Sequence, residues 1–541
     1  MSIGQAILLF IFSSISGIDS SAEEFQTHRP LIAGTLAGIA LGDIKTGIIA
    51  GATMEFVALG WMTIGAAVPP DPALAGITVA ILEILGKQNV GVAVSIAIPI
   101  AVAGQLLQIA QKGTIDIILM HFAEAGVEKG KLSRVTIAHF LTAIPSALRV
   151  AVPSLLMAYF ANATLVQSML NSIPKEITTG LQISSGLLVM VGYAMILNLI
   201  NSKELLPFLI IGFLVMTFSD ITIFALTLLG ISFAVIYYHI TSLILKSQQN
   251  RDKRFRRSEV KDKEGENRSK IRISKFDLMK VFWRTQFFQI SWNYERLQNL
   301  CYCYSIMPIL KKLYKNKEDL IVAVKANLEY YNSHPFFVSI ILGINTAMEE
   351  AKANGEKIDE RDITQVKIAF MGPLAGVGDP VFWGTIRPML AAIGAGIAIK
   401  GNISGVILFF VGINAVRLFM RYNTLMFSYK KGVSVISHIK DFMPRLKNIM
   451  AVLSYTIIGG LIARLTKVNI GVVLYSFVSK GKLQYVTFQQ QLDAIMPNIL
   501  PLLIIFIICW LLKKKVSPLI CMFGLMIIGI VGYAFGILSL T

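Results

Sequence analysis

The sequence predicts an all-α, polytopic membrane protein with two helical units, interrupted or re-entrant helices, and an amphipathic helical region opening the second unit. Three observations carry this expectation. Of 541 residues, 55% are hydrophobic and 15% charged, with a mean hydropathy of +0.65, an apolar excess beyond that of soluble domains. Apolar runs recur along the chain. Neither half shows sustained strand alternation or a repeated strand–helix unit.

The runs differ in kind. The opening "MSIGQAILLFIFSSISGI" lacks the basic n-region of a cleaved signal peptide and is read as a retained segment. "LLVMVGYAMILNLI" (Leu187–Ile200), "ITIFALTLLGISFAVIYYHI" (Ile221–Ile240) and "ILPLLIIFIICWLL" (Ile499–Leu512) reach, with their flanks, the ~20 residues a helix needs to cross a bilayer. "LIAGTLAGIALGDIKTGIIAGATMEFVALGWMTIGAAVPPDP" (Leu31–Pro72) instead places Asp43, Lys45 and Glu55 among glycines and prolines. Such backbone is tolerated at membrane depth where it is buried in protein or lines a cavity.

Net charge is +18, but the basic residues crowd into loops between apolar runs, above all Lys246–Lys275. That placement fits cytoplasmic retention and attraction to anionic lipid, and argues against nucleic acid. The run reads as a flexible cytoplasmic linker. It divides the chain into residues 1–245, 246–274 and 275–541, the last opening with amphipathic helices over 275–364. Asn316 there is placed to cap a helix through "NKEDLIVAVKANLEYYN". "LLKKKVSPL" obeys the same charge rule, so the last apolar stretch is expected to exit outward. The four cysteines follow no disulfide or zinc spacing and read as buried thiols.

Three stretches carry hydrogen-bonding chemistry. "DSSAEEFQTHRP" supplies Glu24, Gln26, His28 and Arg29, with Glu55, Trp61 and Asp71 downstream. Carboxylates, amides and imidazole suit sugar hydroxyls, and an aromatic ring covers the apolar sugar face; an interfacial polar loop is the plainer alternative. In "FQISWNYERLQN", Trp292, Glu295 and Arg296 share a face if the segment is helical, beside Asn293; a surface ion pair explains them equally. "GPLAGVGDPVFWGTIRP" is no phosphate loop, because no Lys-Ser/Thr follows its glycines and Val381 occupies the third position of a dinucleotide fingerprint. Asp379-Pro380 reads instead as a helix start, Asp379 capping and Pro380 at the first position, with a bend near Pro388. "GWMTIGAAVPPDP" echoes it in the first half, and paired Gly/Pro-broken apolar segments point to a transport site. The six histidines are dispersed and no nucleophile elbow occurs. No catalytic residue, metal or cofactor is therefore assigned, and a self-contained enzyme is not expected.

"EEFQTHRPLIAGTLAGIALGDIKTGIIAGATMEFVALGWMTIGAAVPPDPALA" resembles the IIC membrane component of mannose-family bacterial sugar phosphotransferase systems. "FFQISWNYERLQNLCYCYSIMPILKKLY", "MGPLAGVGDPVFWGTIRPMLAAIGAGIA" and "LLKKKVSPL" resemble the IID component. These are usually separate polypeptides; here they share one chain. The resemblance implies a multi-pass bacterial plasma-membrane unit, assembled as a trimer of IIC–IID pairs. It would bind a hexose, mannose or glucose foremost, and present its 6-hydroxyl to a separate phosphorylated IIB charged by IIA. Sugar-site roles carry over to Glu24, Gln26, His28, Glu55, Trp61 and Asp71, and to Trp292, Asn293, Glu295, Asp379 and Arg387. Secondary transport of unmodified sugar and a non-transporting receptor are the competing functions.

Overall fold

A computed structural model describes residues 1–63, 68–161, 175–200, 202–252, 271–432, 435–466, 468–479 and 482–539. Helices dominate. In the first half, α1 (Ile3–Ala22) begins in a capping box of Ser2 and Gln5. Three short helices follow: α2 (Pro30–Leu41), α3 (Ile44–Ala58) and α4 (Pro72–Ile84). At 1.5 Å per residue these are about 18–23 Å long, short of the ~30 Å hydrocarbon core. The interrupted segment is thus a set of broken helices.

Glycine explains how α2 and α3 fold together. Gly42, at φ +86°, ends α2 in the left-handed region, and Asp43 caps α3 by accepting from the Thr46 amide at 3.1 Å. The helices then touch backbone to backbone: a Cβ on Gly34 would lie 2.8 Å from Gly51 Cα, and one on Gly38 2.7 Å from Gly47 Cα. Four apolar glycines give the close approach seen at small-residue membrane interfaces.

Longer elements complete the half. α5 (Val90–Gly113) and α6 (Ile115–Glu128) form one 39-residue apolar run, and α7 (Ser133–Leu141) with α8 (Ala143–Ala161) a second of 29 residues. α9 (Lys175–Ile200), α10 (Leu206–Thr217) and α11 (Ile223–Asp252) follow. The basic segment predicted to be a flexible linker is folded at both described ends. Its first residues continue α11 to Asp252, and Ile271 exchanges hydrogen bonds with the Asn354 side chain at 2.8 and 2.9 Å. Residues 253–270 lie outside the described residues.

The second half opens with α12 (Lys275–Thr285), α13 (Asn299–Leu313), α14 (Lys317–Asn327) and α15 (Val338–Ala353). Asn316 caps α14 through the Glu318 amide at 3.2 Å. The Trp292–Arg296 stretch is not helical, contrary to expectation. Asn293 Oδ1 accepts from the amides of Glu295 and Arg296 at 3.2 and 2.9 Å, and Leu297 takes φ +54°. This side-chain turn outcompetes a helix.

The expected break at Asp379-Pro380 is also absent. α16 (Glu360–Gly378) passes through a π-helical turn, Asp379–Ile386, into α17 (Arg387–Ala398) as one 39-residue element. Asp379 has helical dihedrals and donates to Ala375 O, so it caps nothing. Pro380 has no N–H to give, and the wider π register, in which Arg387 N reaches Phe382 O, absorbs it without ending the helix. Thr385 Oγ1 donates to the Pro380 carbonyl at 2.9 Å.

α18 (Ile403–Lys431) and α19 (Val435–Leu465) are long. An antiparallel hairpin, β1 (Val473–Ser479) and β2 (Lys482–Thr487), adds strands that the sequence pattern did not announce. α20 (Phe488–Ile495) meets α21 (Ile499–Lys513) at 87°, and α22 (Pro518–Ala534) closes the fold. The four cysteines are buried and free. The two sequence units share one core: Ser184 Oγ donates to Met526 O at 3.1 Å, Asn198 Nδ2 to Cys509 O at 3.1 Å, and Gly212 packs on Thr456.

Candidate functional site

The site starts at the loop after α1. Asp19 is buried, and its carboxylate accepts from the amides of Glu24 (3.0 Å), Phe25 (2.9 Å), Thr27 (2.6 Å) and His28 (3.3 Å). His28 Nδ1 lies 3.0 Å from the same carboxylate. Glu23 and Gln26 take φ +51° and +64° to wrap around it, backbone that side chains other than glycine adopt only when the surroundings impose it. The outcome is that neighbouring Glu23 and Glu24 leave the loop towards different partners.

Glu24 goes to the seam between the halves. Its oxygens meet two α18 arginines, Arg421 Nη2 at 2.7 Å and Arg417 Nη1 at 3.5 Å, and all three side chains are buried. Arg421 also donates to Thr285 O (2.5 Å) and Pro335 O (2.9 Å), and Arg417 to Gln286 Oε1 (2.5 Å). Two further buried couples pair in the same way, although Arg149 Nε, like Arg421 Nε, has no hydrogen bond among the described residues. Arg29 binds Glu55 through Nε at 2.9 Å and Nη2 at 2.5 Å, and spends its other bonds on Ala58 O and Trp61 O. Arg149 pairs with Asp71, which also caps α4 through the Leu74 amide at 3.1 Å. Paired, hydrogen-bonded charges of this kind are sustainable at depth.

Glu23 faces a different environment. It accepts from Thr63 Oγ1, and one oxygen stands 3.8 Å from Arg387 Nη1 with no hydrogen bond among the described residues. Arg387 stacks on Trp383, 4.3 Å from its ring centre, and donates to Trp61 O at 3.2 Å. The Trp61 carbonyl therefore receives an arginine from each half. Beside these residues is a cavity of about 50 Å³ walled by Thr63, Val68 and Lys112 of the first half and by Gln289, Trp292, Ser333, Asp379 and Trp383 of the second. Arg387 Nε, Trp61 Nε1 and Gln26 Oε1 are buried without hydrogen bonds among the described residues. Ligand sites typically hold about 300–1,000 Å³, so a sugar-sized ligand requires the walls to part.

The sequence-predicted residues separate into groups. Trp292 and Asp379 line the cavity. Arg387 and the Trp61 carbonyl adjoin it, and Gln26 holds the Glu23 carbonyl at 2.7 Å. Glu24, His28, Glu55 and Asp71 are consumed in ion pairs and turns one layer back. Asn293 is buried in its turn, 3.3 Å from Asn299 Oδ1. Glu295 is not brought to the cavity. It is partly exposed and pairs with His121 at 2.9 Å.

Sequence reasoning missed Glu23, Thr63, Lys112, Gln289 and Trp383. Only α18 offered an unused signal, since Arg417 and Arg421 stand one turn apart in an apolar helix and needed a buried acid. Chemically, the cavity joins carboxylates, amides, cations and indole rings, the set that recognises a polyhydroxylated ring.

Residues 3–236 match the family model "PTS system sorbose-specific iic component", and residues 272–538 match "PTS system mannose/fructose/sorbose family IID component". The mannose-specific EIIC component of Escherichia coli (strain K12) is 45% identical over 44% of this chain and 89% of that protein. The mannose-specific EIID component of the same strain is 43% identical over 50% of this chain and 96% of that protein. The fructose permease IID component of Bacillus subtilis (strain 168) is 40% identical over 50% of this chain and 98% of that protein. Together with membrane-length helices in both halves, these matches mean that the chain belongs to the mannose/fructose/sorbose family of bacterial sugar phosphotransferase systems, as a membrane translocation unit carrying IIC and IID components in one polypeptide and working with a sugar and IIA and IIB partners.

Proposed function

We propose that this chain binds a hexose, mannose foremost, in the cavity between its IIC-like and IID-like halves, and presents it for phosphorylation by a separate phospho-IIB. The observation that carries this is the joint wall: Thr63 and Lys112 come from one half, Trp292, Asp379 and Trp383 from the other. Glu23, Asp379 and Arg387 form hydrogen bonds to sugar hydroxyls, and Trp292 or Trp383 covers the ring face. Trp61 and Gln26 support this inner layer. Glu24, His28, Glu55, Asp71 and Asn293 shape the site from behind, and Glu295 serves the outer groove. Mannose is favoured by the printed specificity of the E. coli relatives.

The domain division follows as 1–245, 246–274 and 275–541, with the basic segment on the cytoplasmic side, and the working assembly is a homotrimer. Movement of one helical body against the other opens the cavity, in keeping with sites built on broken helices. The test is uptake of labelled mannose by proteoliposomes with and without phosphorylated IIB. Sugar phosphate inside only when phospho-IIB is supplied is the expected result. Accumulation of free mannose regardless of IIB makes the chain a secondary transporter and overturns the proposal.

A further inference from the structure

Lys112 is buried at the end of α5, 4% exposed, yet its ammonium makes no hydrogen bond or ion pair among the described residues. Its one close partner is the Trp292 ring, 4.9 Å away. Glu23, Asp116 and Asp71 act on it through space, but none reaches ion-pair distance. Every other buried cation described above is tied to a carboxylate or carbonyl. The Lys112 position is itself fixed, since the Tyr294 amide donates to its carbonyl at 3.3 Å across the two halves. Gln289, 8% exposed and also on the cavity wall, has a side-chain amide with no hydrogen bond among the described residues. Gln298, by contrast, is spent on the Ser333 backbone at 2.9 and 3.0 Å.

These two free donors have a defined place. Asp379 interacts with Glu23 and Arg387, whereas Lys112 interacts with Glu23, Arg149, Asp116 and Asp71. Asp379 and Lys112 line the same cavity, and Glu23 acts on both through space. An ammonium with one aromatic neighbour and a free amide form a ready site for an anion, because charge-assisted hydrogen bonds are the strong ones.

Resting on the reading of the cavity as the sugar site, we infer that Lys112 and Gln289 form a phosphoryl subsite on its wall. This subsite takes the phosphomonoester dianion of the phosphorylated hexose. The free sugar, having no charge, gains less from Lys112 than the dianion does. The subsite would therefore separate product from substrate by affinity.

The test titrates the purified full chain with mannose and with mannose 6-phosphate by calorimetry. Lys112→Met is expected to weaken mannose 6-phosphate about tenfold or more beyond any loss of mannose affinity. Lys112→Arg is expected to retain most of the sugar-phosphate affinity, and Gln289→Leu to show a smaller loss of the same selectivity. Equal effects of Lys112→Met on both ligands, with no selective loss in Gln289→Leu, overturn the inference. So does unchanged mannose 6-phosphate binding in both variants. Failure of the wild-type chain to bind mannose at all instead removes the sugar-site reading and this inference with it.

Discussion

Glu23 and Glu24 are adjacent in sequence and opposite in circumstance. Glu24 is enclosed at the seam, with both oxygens against Arg421 and Arg417. Glu23 borders the cavity, with one oxygen lacking a hydrogen bond and Arg387 at 3.8 Å. The contrast extends to the regions they belong to. Around Glu24, Arg29–Glu55 and Asp71–Arg149, guanidinium and carboxylate groups meet one another and nearby carbonyls. Around Glu23, Asp379 and Lys112, polar groups are left to meet something else. A buried polar group without a partner costs about 1–3 kcal/mol or more, so the second region is where a ligand gains most. The difference teaches that burial of charge alone does not mark this site; incompletely paired carboxylates do, since single guanidinium nitrogens (Arg149 Nε, Arg421 Nε) lack hydrogen bonds in the closed region too.

The largest expected effect comes from opening the closed region. Glu24→Gln or Arg421→Ala removes one side of a buried pair, which typically costs about 3–5 kcal/mol. Thermal unfolding of the detergent-solubilised chain should fall sharply in midpoint, and the folded fraction should keep its mannose affinity. Next, Asp379→Asn and Glu23→Gln each remove a charged acceptor at the cavity. At about 1.5–3 kcal/mol per charged hydrogen bond, mannose Kd should rise about 10- to 150-fold in calorimetry with little change in unfolding midpoint.

How much of this contrast was legible beforehand depends on distance along the chain. The broken character of Leu31–Pro72 was readable, because acids, glycines and prolines inside an apolar run leave few other options. So was the α14 cap, since Asn316 acts on Glu318 two residues away. Asp379 lines the cavity, as a site residue would, but its local geometry differs from the helix start that the sequence suggests. Asp-Pro suits a helix start, and nothing local distinguishes that from a π turn that lets Pro380 sit inside a helix. Trp292, Glu295 and Arg296 had helical spacing, but the Asn293 side chain captured the backbone first. The choice between Glu23 and Glu24 was not readable at all. It is made by two left-handed residues wrapped on Asp19 and by arginines nearly four hundred positions away. Lys112 is not readable from sequence either, because a lone lysine ending an apolar helix equally fits an interfacial anchor.

Two smaller effects sharpen the comparison from outside both regions. Gly47→Ala places a methyl 2.5 Å from Gly38 Cα, where only backbone faces it. Overpacking of this kind costs about 1–3 kcal/mol, so the unfolding midpoint should drop, by less than in Glu24→Gln. Glu295→Gln should do least. Its partner His121 is half exposed, and an exposed ion pair contributes about 0–1 kcal/mol. Transport rate and mannose Kd should both stay within about twofold; a tenfold loss of affinity would return Glu295 to the sugar site.

The central claim is that adjacent carboxylates divide the work, one binding sugar and the other holding the halves together. Mannose titration and thermal unfolding of Glu23→Gln and Glu24→Gln, measured side by side on the full chain, test it most directly. The account predicts weakened mannose binding with a preserved midpoint for Glu23→Gln, and a lowered midpoint with preserved affinity for Glu24→Gln. Matching profiles for the two variants, or the reverse assignment, would contradict it.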